Sequence, residues 1–489
     1  MEQKKSEFNK VLNAWDVLVI AFGAMIGWGW VVSTGGWIEK GGVLGAAIGF
    51  VIGGIMIFFV GMTYAELTAA MPQCGGEHVF SYKAMGSTGS FICTWMIILG
   101  YVSVACFEAC AFPTIITYLW PGFLKGYLYT VAGFDIYASW LIVAIVIAFL
   151  IMMINIIGAK TAAILQTVLT CIIGGAGILL IIASVINGTV DNLDGQMFAG
   201  SSAGLNVKAI IGVAALSPFY FIGFDVIPQA AEEINVPAKK IGSILILSVV
   251  LAVVFYALVI VAVGLVMSPQ AIVDSEQATG LVTADAMAAA FNTKIMAKVI
   301  IVGGMCGIVT SWNSFLLGGS RAMYSMAESY MIPKFFAKLH PKHKTPINAL
   351  ILIGSLTMLA PGSVMPVTLA AVWHIAWLLF HSLFFARRSR ICQDLTRFPH
   401  TSSLERWRSS CQASWLQCTA YREAADHLSP RSGASCLHGV RSAWYSSSSV
   451  KRNTRSHLVH LLSSSQMRML QHLCRRQMRL NWIRLSMLQ

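Results

Sequence analysis

The stretch Phe22-Gly23-Ala24-Met25-Ile26-Gly27-Trp28-Gly29 interrupts the first membrane-length apolar run of this chain near its middle. Five hydrophobic segments later, Phe219-Tyr220-Phe221-Ile222-Gly223-Phe224-Asp225 interrupts another. Glycine bares its backbone and weakens helix continuation, so both runs can unwind at bilayer depth. Irregular backbone survives at that depth only where protein or a water-filled cavity surrounds it. Matching breaks in two halves of a chain point to a secondary transporter with its site at the breaks.

Composition agrees with a membrane setting. Only 11% of the 489 residues are charged and 56% are hydrophobic, whereas soluble chains carry roughly 25% charged residues. The polar start Met1-Glu2-Gln3-Lys4-Lys5 leads straight into spans and does not read as a cleavable signal peptide. The cysteines lack paired or metal-ligand spacing and read as small buried hydrophobes.

The formal charge of +13 is unevenly placed. Residues 1–386 hold 17 Lys+Arg against 17 Asp+Glu, and residues 387–489 hold 17 against 4, so the whole excess lies in the tail. The body uses Arg321 as its single arginine, while Lys451 is the single lysine of the tail. Runs such as Ser446-Ser447-Ser448-Ser449 and Cys474-Arg475-Arg476 resemble out-of-frame translation. We therefore expect a transmembrane domain over 1–386 and a basic, disordered, out-of-frame tail over 387–489; a genuine basic regulatory tail is the alternative. That placement of charge argues against a nucleic-acid partner.

A bilayer core takes about 20 apolar residues per helix. On that ruler the spans fall near 14–36, 43–70, 89–120, 136–157, 160–187, 207–231, 241–267, 283–327, 346–361 and 364–386. The segment over 283–327 is long enough to include a short outer helix. Basic residues orient them. With the N-terminus inside, Lys4, Lys5, Lys10, Lys83, Lys160 and seven others gather on the cytoplasmic side, and five lysines gather outside.

Four ordered motifs then carry a resemblance. The first is the glycine-rich break of span one. The second is Tyr64-Ala65-Glu66-Leu67 with Pro72-Gln73-Cys74-Gly75-Gly76-Glu77-His78. The third is Phe221 to Asp225 followed by Ala231-Glu232-Glu233-Ile234-Asn235-Val236-Pro237, and the fourth is Ser320 to Ala327 with Pro333 and His340-Pro341-Lys342. Over residues 10–365 the chain resembles the amino acid–polyamine–organocation permeases, with Met25, Trp30 and His78 varying the usual pattern. The resemblance implies an all-α membrane protein with the LeuT-like 5+5 inverted-repeat fold. Helices 1 and 6 would be discontinuous, and the fold would be truncated or scrambled after about helix 9–10. It also implies amino acid transport across the cytoplasmic membrane by alternating access, as proton symport or exchange. A polyamine or small-amine carrier, or a non-transporting nutrient sensor on the same fold, stays open.

An α-carboxylate in such a site needs N–H donors, which the half-helix beyond a break supplies with a favourable dipole. In span one these would be Ile26, Gly27, Trp28 and Gly29; carbonyls near Ala21, Phe22 and Phe219–Ile222 would face the α-ammonium. The expected binding set is Ala21, Phe22, Ala24, Met25, Ile26, Gly27, Trp28, Gly29, Phe219, Phe221, Ile222 and Gly223. Glycines that merely permit close helix packing are the other reading. Phe219 matches a gating aromatic in some relatives, or is ordinary packing. Lys160, in Asn155…Lys160…Gln166, resembles a lysine that replaces bound sodium and bridges spans one and eight, with a pKa lowered by burial; otherwise it is an interfacial snorkelling lysine. Glu108 in mid-span three is a proton carrier, a partner for a cationic substrate, or a structural acid. Asp225 couples protonation to gating or caps a helix. Glu232 and Glu233 read as gate or cap residues, and His78 as structural. No catalytic group, metal ligand or cofactor site is expected, and the partners are a small amino acid or related amine and the bilayer. Oligomeric state has no sequence signature.

Overall fold

The computed structural model describes residues 7–131 and 133–363. The tenth span expected over 364–386 and the tail over 387–489 lie outside the described residues. Within them the chain is a helical bundle, and its first span is broken. Helix α1 (Ala14–Met25) ends just before Gly27, and α2 (Gly29–Gly41) leaves at 48° to it. Helix α3 (Val43–Ala70) returns, followed by α4 (Glu77–Leu119). Gly86, at φ 73° and ψ −171°, splits α4 into a stub and a long rod. This explains why hydropathy alone starts span three at residue 89: the stub is polar.

At the far end a hairpin pairs β1 (Tyr127–Val131) with β2 (Phe134–Tyr137), Thr130 opposite Asp135. Two long apolar helices follow, α5 (Ala138–Ile157) and α6 (Ala159–Asn187). The sixth span is broken like the first: α7 (Ala203–Leu216), a 3₁₀ turn over Ser217–Phe221, and the short α8 (Val226–Gln229). After α9 (Ala238–Val266), two short helices, α10 (Pro269–Ala278) and α11 (Val282–Ala290), precede α12 (Lys294–Glu328) and α13 (Ile347–Leu359). Among the described residues seven segments, the interrupted Ala203–Gln229 included, are long and apolar enough to cross a bilayer, and the bent α1–α2 pair makes eight.

The packing pairs corresponding spans. Span two (α3) packs most extensively on span seven (α9), and span three (α4) on span eight (α12), the pairing an inverted-repeat fold predicts. Span one meets span six at the breaks. Glycines make these approaches possible: a methyl at Gly49 would come within 2.8 Å of Val213 in α7. At Gly54 a methyl would collide with Val253 in α9. Small residues at such crossings let helices gain van der Waals contact that lipid does not supply. Most of the apolar core forms one cluster running through both halves. Cys74, Cys93 and Cys106 are buried in the bundle.

Candidate functional site

The first break is made by an abrupt end to α1. A reciprocal cap between Asn13 and Asp16 starts the helix. The N–H of Ile26 still reaches the Phe22 carbonyl at 3.0 Å, and then the pattern stops. Among the described residues the N–H groups of Gly27, Trp28 and Gly29 have no hydrogen-bond partner. The Ile26 N–H is thus already paired, because the last turn of α1 joins it to the Phe22 carbonyl, which keeps its second lone pair. Ala21 is fully buried within the regular part of α1. The Met25 carbonyl accepts from the Tyr256 hydroxyl at 2.7 Å.

The second break lies against the first. Gly223 takes φ 136°, and a Cβ there would sit 3.1 Å from the Ala24 carbonyl carbon and the Met25 nitrogen. Only glycine fits both the backbone and the space. Its N–H donates to Asp225 Oδ1 at 2.9 Å, and Asp225 Oδ2 accepts from the Tyr101 hydroxyl at 2.5 Å. The Phe219 carbonyl accepts from Ile222 N–H and the Tyr220 carbonyl from Tyr256. The carbonyls of Phe221 and Ile222 have no partner among the described residues. Donors of one break and acceptors of the other therefore stand side by side.

Tyr220, rather than Phe219, is the aromatic over the first break. A methyl on Gly29 would come within 2.9 Å of two Tyr220 ring carbons. Tyr220 also joins Trp37, Phe50 and Tyr256 in one aromatic cluster. Phe219 is 46% exposed and meets Tyr220 edge-on at 5.3 Å.

Span eight brings polar groups to the first break. Ser311 Oγ lies 3.4 Å from the position a Gly27 Cβ would take. It donates to Glu108 Oε1 at 2.5 Å, and the buried Glu108 Oε2 has no hydrogen-bond partner. The adjacent Thr310 Oγ1 lies 2.9 Å from both the Gly23 and the Gly307 carbonyls. Asn313 accepts from Asn155 and donates to Gln166, each at 2.8 Å, tying spans four and five to span eight.

Lys160 is placed differently from the sequence expectation. Its Nζ bonds Asp16 Oδ2 at 2.6 Å, and its side chain is 44% exposed. It stands in the first turn of α6, so it reaches span one near the start of α1 and is not buried; the link to span eight passes through Asn155 and Gln166 instead. Asp16 is ten residues before Ile26, about 15 Å along the helix.

The remaining motifs converge at the end where α1 begins. Arg321 holds Glu233 with two bonds, Nε–Oε1 at 2.7 Å and Nη2–Oε2 at 3.1 Å, both side chains buried. The Glu233 carbonyl accepts from Val11 and Leu12, and Glu232 accepts from Cys74 N–H at 3.1 Å. Gln229 donates to Glu77. His78 is buried, its ring nitrogens 2.8 Å from Ser329 Oγ and 3.0 Å from Ser90 Oγ. Burial holds the Cys74 thiol well above its ordinary range, so this loop cysteine stays protonated.

The amino acid permease family matches residues 16–385, from the cap of α1 onward. The chain belongs to that family. It is a multi-pass membrane transporter and not an enzyme. Curated relatives are similar at modest identity. The branched-chain amino acid permease BcaP of Bacillus subtilis is 26% identical over 378 residues, covering 74% of this chain and 76% of that protein. The methylthioribose transporter of the same organism is 27% identical over 366 residues, covering 72% and 75%. Its aspartate-proton symporter is 23% identical over 473 residues, covering 90% and 88%.

Sequence reading of this permease missed Asp16, Tyr101, Ser311, Thr310 and Asn313. Asp16 had a local signal, the Asn13-x-x-Asp16 cap. The others are helix hydroxyls and amides whose partners lie more than a hundred residues away, and no local pattern marks them.

Proposed function

We propose that this permease carries amino acids across the cytoplasmic membrane by alternating access, with its N-terminus in the cytoplasm, as a proton symporter or exchanger. One observation carries the reading: the two broken helices touch at Gly223 and Ala24–Met25, leaving free N–H groups on one and free carbonyls on the other. The donors at Gly27, Trp28 and Gly29 would take the α-carboxylate, where the dipole of α2 adds to them. The carbonyls of Phe221 and Ile222 would take the α-ammonium. Tyr220 would close the apolar side of the site, with Phe219 beside it. Relatives named for branched-chain amino acid and aspartate–proton transport support this class.

In this reading Glu108 carries the coupled proton. Its unpartnered oxygen next to Ser311 places a titratable group beside the break. Asp225 transmits closure by holding the Gly223 turn to Tyr101. Lys160 reports on span one through Asp16, and neither sodium nor any other cofactor takes part. A small-amine carrier is the second reading, favoured by the same Glu108 oxygen, which suits a cation.

Reconstitution into liposomes tests it. Counterflow of radiolabelled amino acids, faster with an inward proton gradient, is the expected result. Binding without counterflow would point to a sensor, and competition by amines alone to the second reading. Residues 387–489 take no part in the proposed function. Sequencing the coding DNA across codons 360–390 on independent clones decides whether they are out of frame.

A further inference from the structure

The loop joining α12 to α13 has a surface that the transport site does not use. Lys334, Lys338, Lys342 and Lys344 fall within eleven residues, and no acidic residue occurs between Glu328 and Asp394. None of the four lysines is paired with a carboxylate among the described residues. The loop is nevertheless firmly held. Asn348 donates to the Phe335 carbonyl at 2.6 Å, His340 N–H reaches Thr345 at 2.8 Å, and Thr345 Oγ1 reaches Ile156 at 2.8 Å. Met331, Ile332 and Phe336 pack inward against the core.

Against that fixed frame two aromatic rings point outward: Tyr330 is 75% exposed and Phe335 65%. The Lys334 ammonium lies 4.1 Å from the Tyr330 ring centroid, so cation and ring form one unit. Left-handed backbone at Tyr330 (φ 56°) turns the chain out of α12 and into this arrangement. The loop lies directly between two spans, at the end where α1 starts: Phe8 meets Tyr324 at 4.9 Å. Exposed aromatics beside unpaired lysines at a bilayer boundary match a surface of anionic headgroups over acyl chains.

We propose that the Tyr330–Lys344 loop is a binding surface for anionic phospholipid of the adjoining leaflet. The lysines would contact phosphate oxygens, and Phe335 and Tyr330 would enter the acyl boundary. No step of transport is needed for this, so its test is separate from that of the proposed function.

The test is native mass spectrometry of the full chain in detergent, titrated with phosphatidylglycerol or phosphatidylcholine. Phosphatidylglycerol should bind more tightly. Lys334→Gln with Lys338→Gln should weaken it about fivefold per lysine, and Phe335→Ser should weaken it further. The control pair Lys294→Gln with Lys298→Gln, at the other end of α12, should leave it unchanged. Should the first pair fail to fold, Lys342→Gln alone should give a fivefold loss. Equal binding of the two lipids, or equal losses from both lysine pairs, overturns the proposal.

Discussion

Tyr101 and Glu108 stand seven residues apart on one face of α4; Tyr101 reaches the second broken helix, and Glu108 reaches span eight where it borders the first. Tyr101 bonds Asp225 just past the second break; Glu108 accepts from Ser311 beside the first. Seven residues are close to two helical turns, about 10 Å, so one rigid rod spans both breaks. Span three is therefore a fixed spacer beside both breaks, against which either would move in the proposed cycle.

Gly223→Ala should abolish uptake. The added methyl meets main-chain atoms of Ala24 and Met25 at 3.1 Å, and neither can rotate away. Overpacking of this kind costs about 1–3 kcal/mol, before the unfavourable positive φ is counted. A thermal-unfolding measurement on purified protein should show a lower Tm, and counterflow should be at background. Normal counterflow would mean that the breaks need not touch.

Glu108→Gln keeps the acceptor for Ser311 and removes the titratable proton. Exchange of amino acid in the absence of a gradient should persist, while stimulation by a proton gradient disappears. Retained stimulation would move the coupling proton elsewhere.

Lys160→Gln should separate stability from coupling. A half-exposed ion pair contributes at most about 1 kcal/mol, so Tm should move little. Gradient-driven uptake should fall at least tenfold. Asp16→Asn should reproduce the phenotype, since the two share one bond.

Arg321→Met should prevent accumulation of folded protein. It strands the buried Glu233 carboxylate, and breaking one side of such a pair costs about 3–5 kcal/mol. Combining it with Glu233→Met should restore expression in a detergent-solubilised size-exclusion assay. If the single variant accumulates normally, the pair is dispensable for folding.

Glu276 gives a pH prediction. It lies in α10, outside the spans, with one buried oxygen lacking a hydrogen bond. Burial and then the nearby Glu39 raise its pKa above the ordinary 4.5. The folded state thus binds the proton more tightly than the unfolded state, and stability falls as pH rises from about 4.5 through the raised value. Glu276→Gln should raise Tm at pH 7 and make no difference at pH 4. A higher Tm at both values would assign the gain to packing instead.

Much of the fold was legible because hydropathy and bilayer thickness dictate it. Spans expected over 43–70, 160–187 and 241–267 correspond to Val43–Ala70, Ala159–Asn187 and Ala238–Val266. The short helix before span eight was also foreseen, and is Val282–Ala290. Both breaks were visible through their glycines. The hairpin was not foreseen, because its alternation over Tyr127–Val131 lasts only five residues. Which groups at a break remain free was illegible too. That depends on whether the last turn of α1 closes, and Ile26 shows that it does.

Thr310 has a bearing on the movement proposed for span one. Its hydroxyl is within reach of two acceptors, one on α1 and one in its own helix. Were α1 to tilt away, as the proposed alternating access requires, the Thr310 hydroxyl would donate to the Gly307 carbonyl alone, and no donor would be stranded in the dry interior. The Gly23 oxygen would be left for solvent or solute to claim. Unlatching here would cost one shared bond rather than a whole one, which would lower the barrier to rocking the helix.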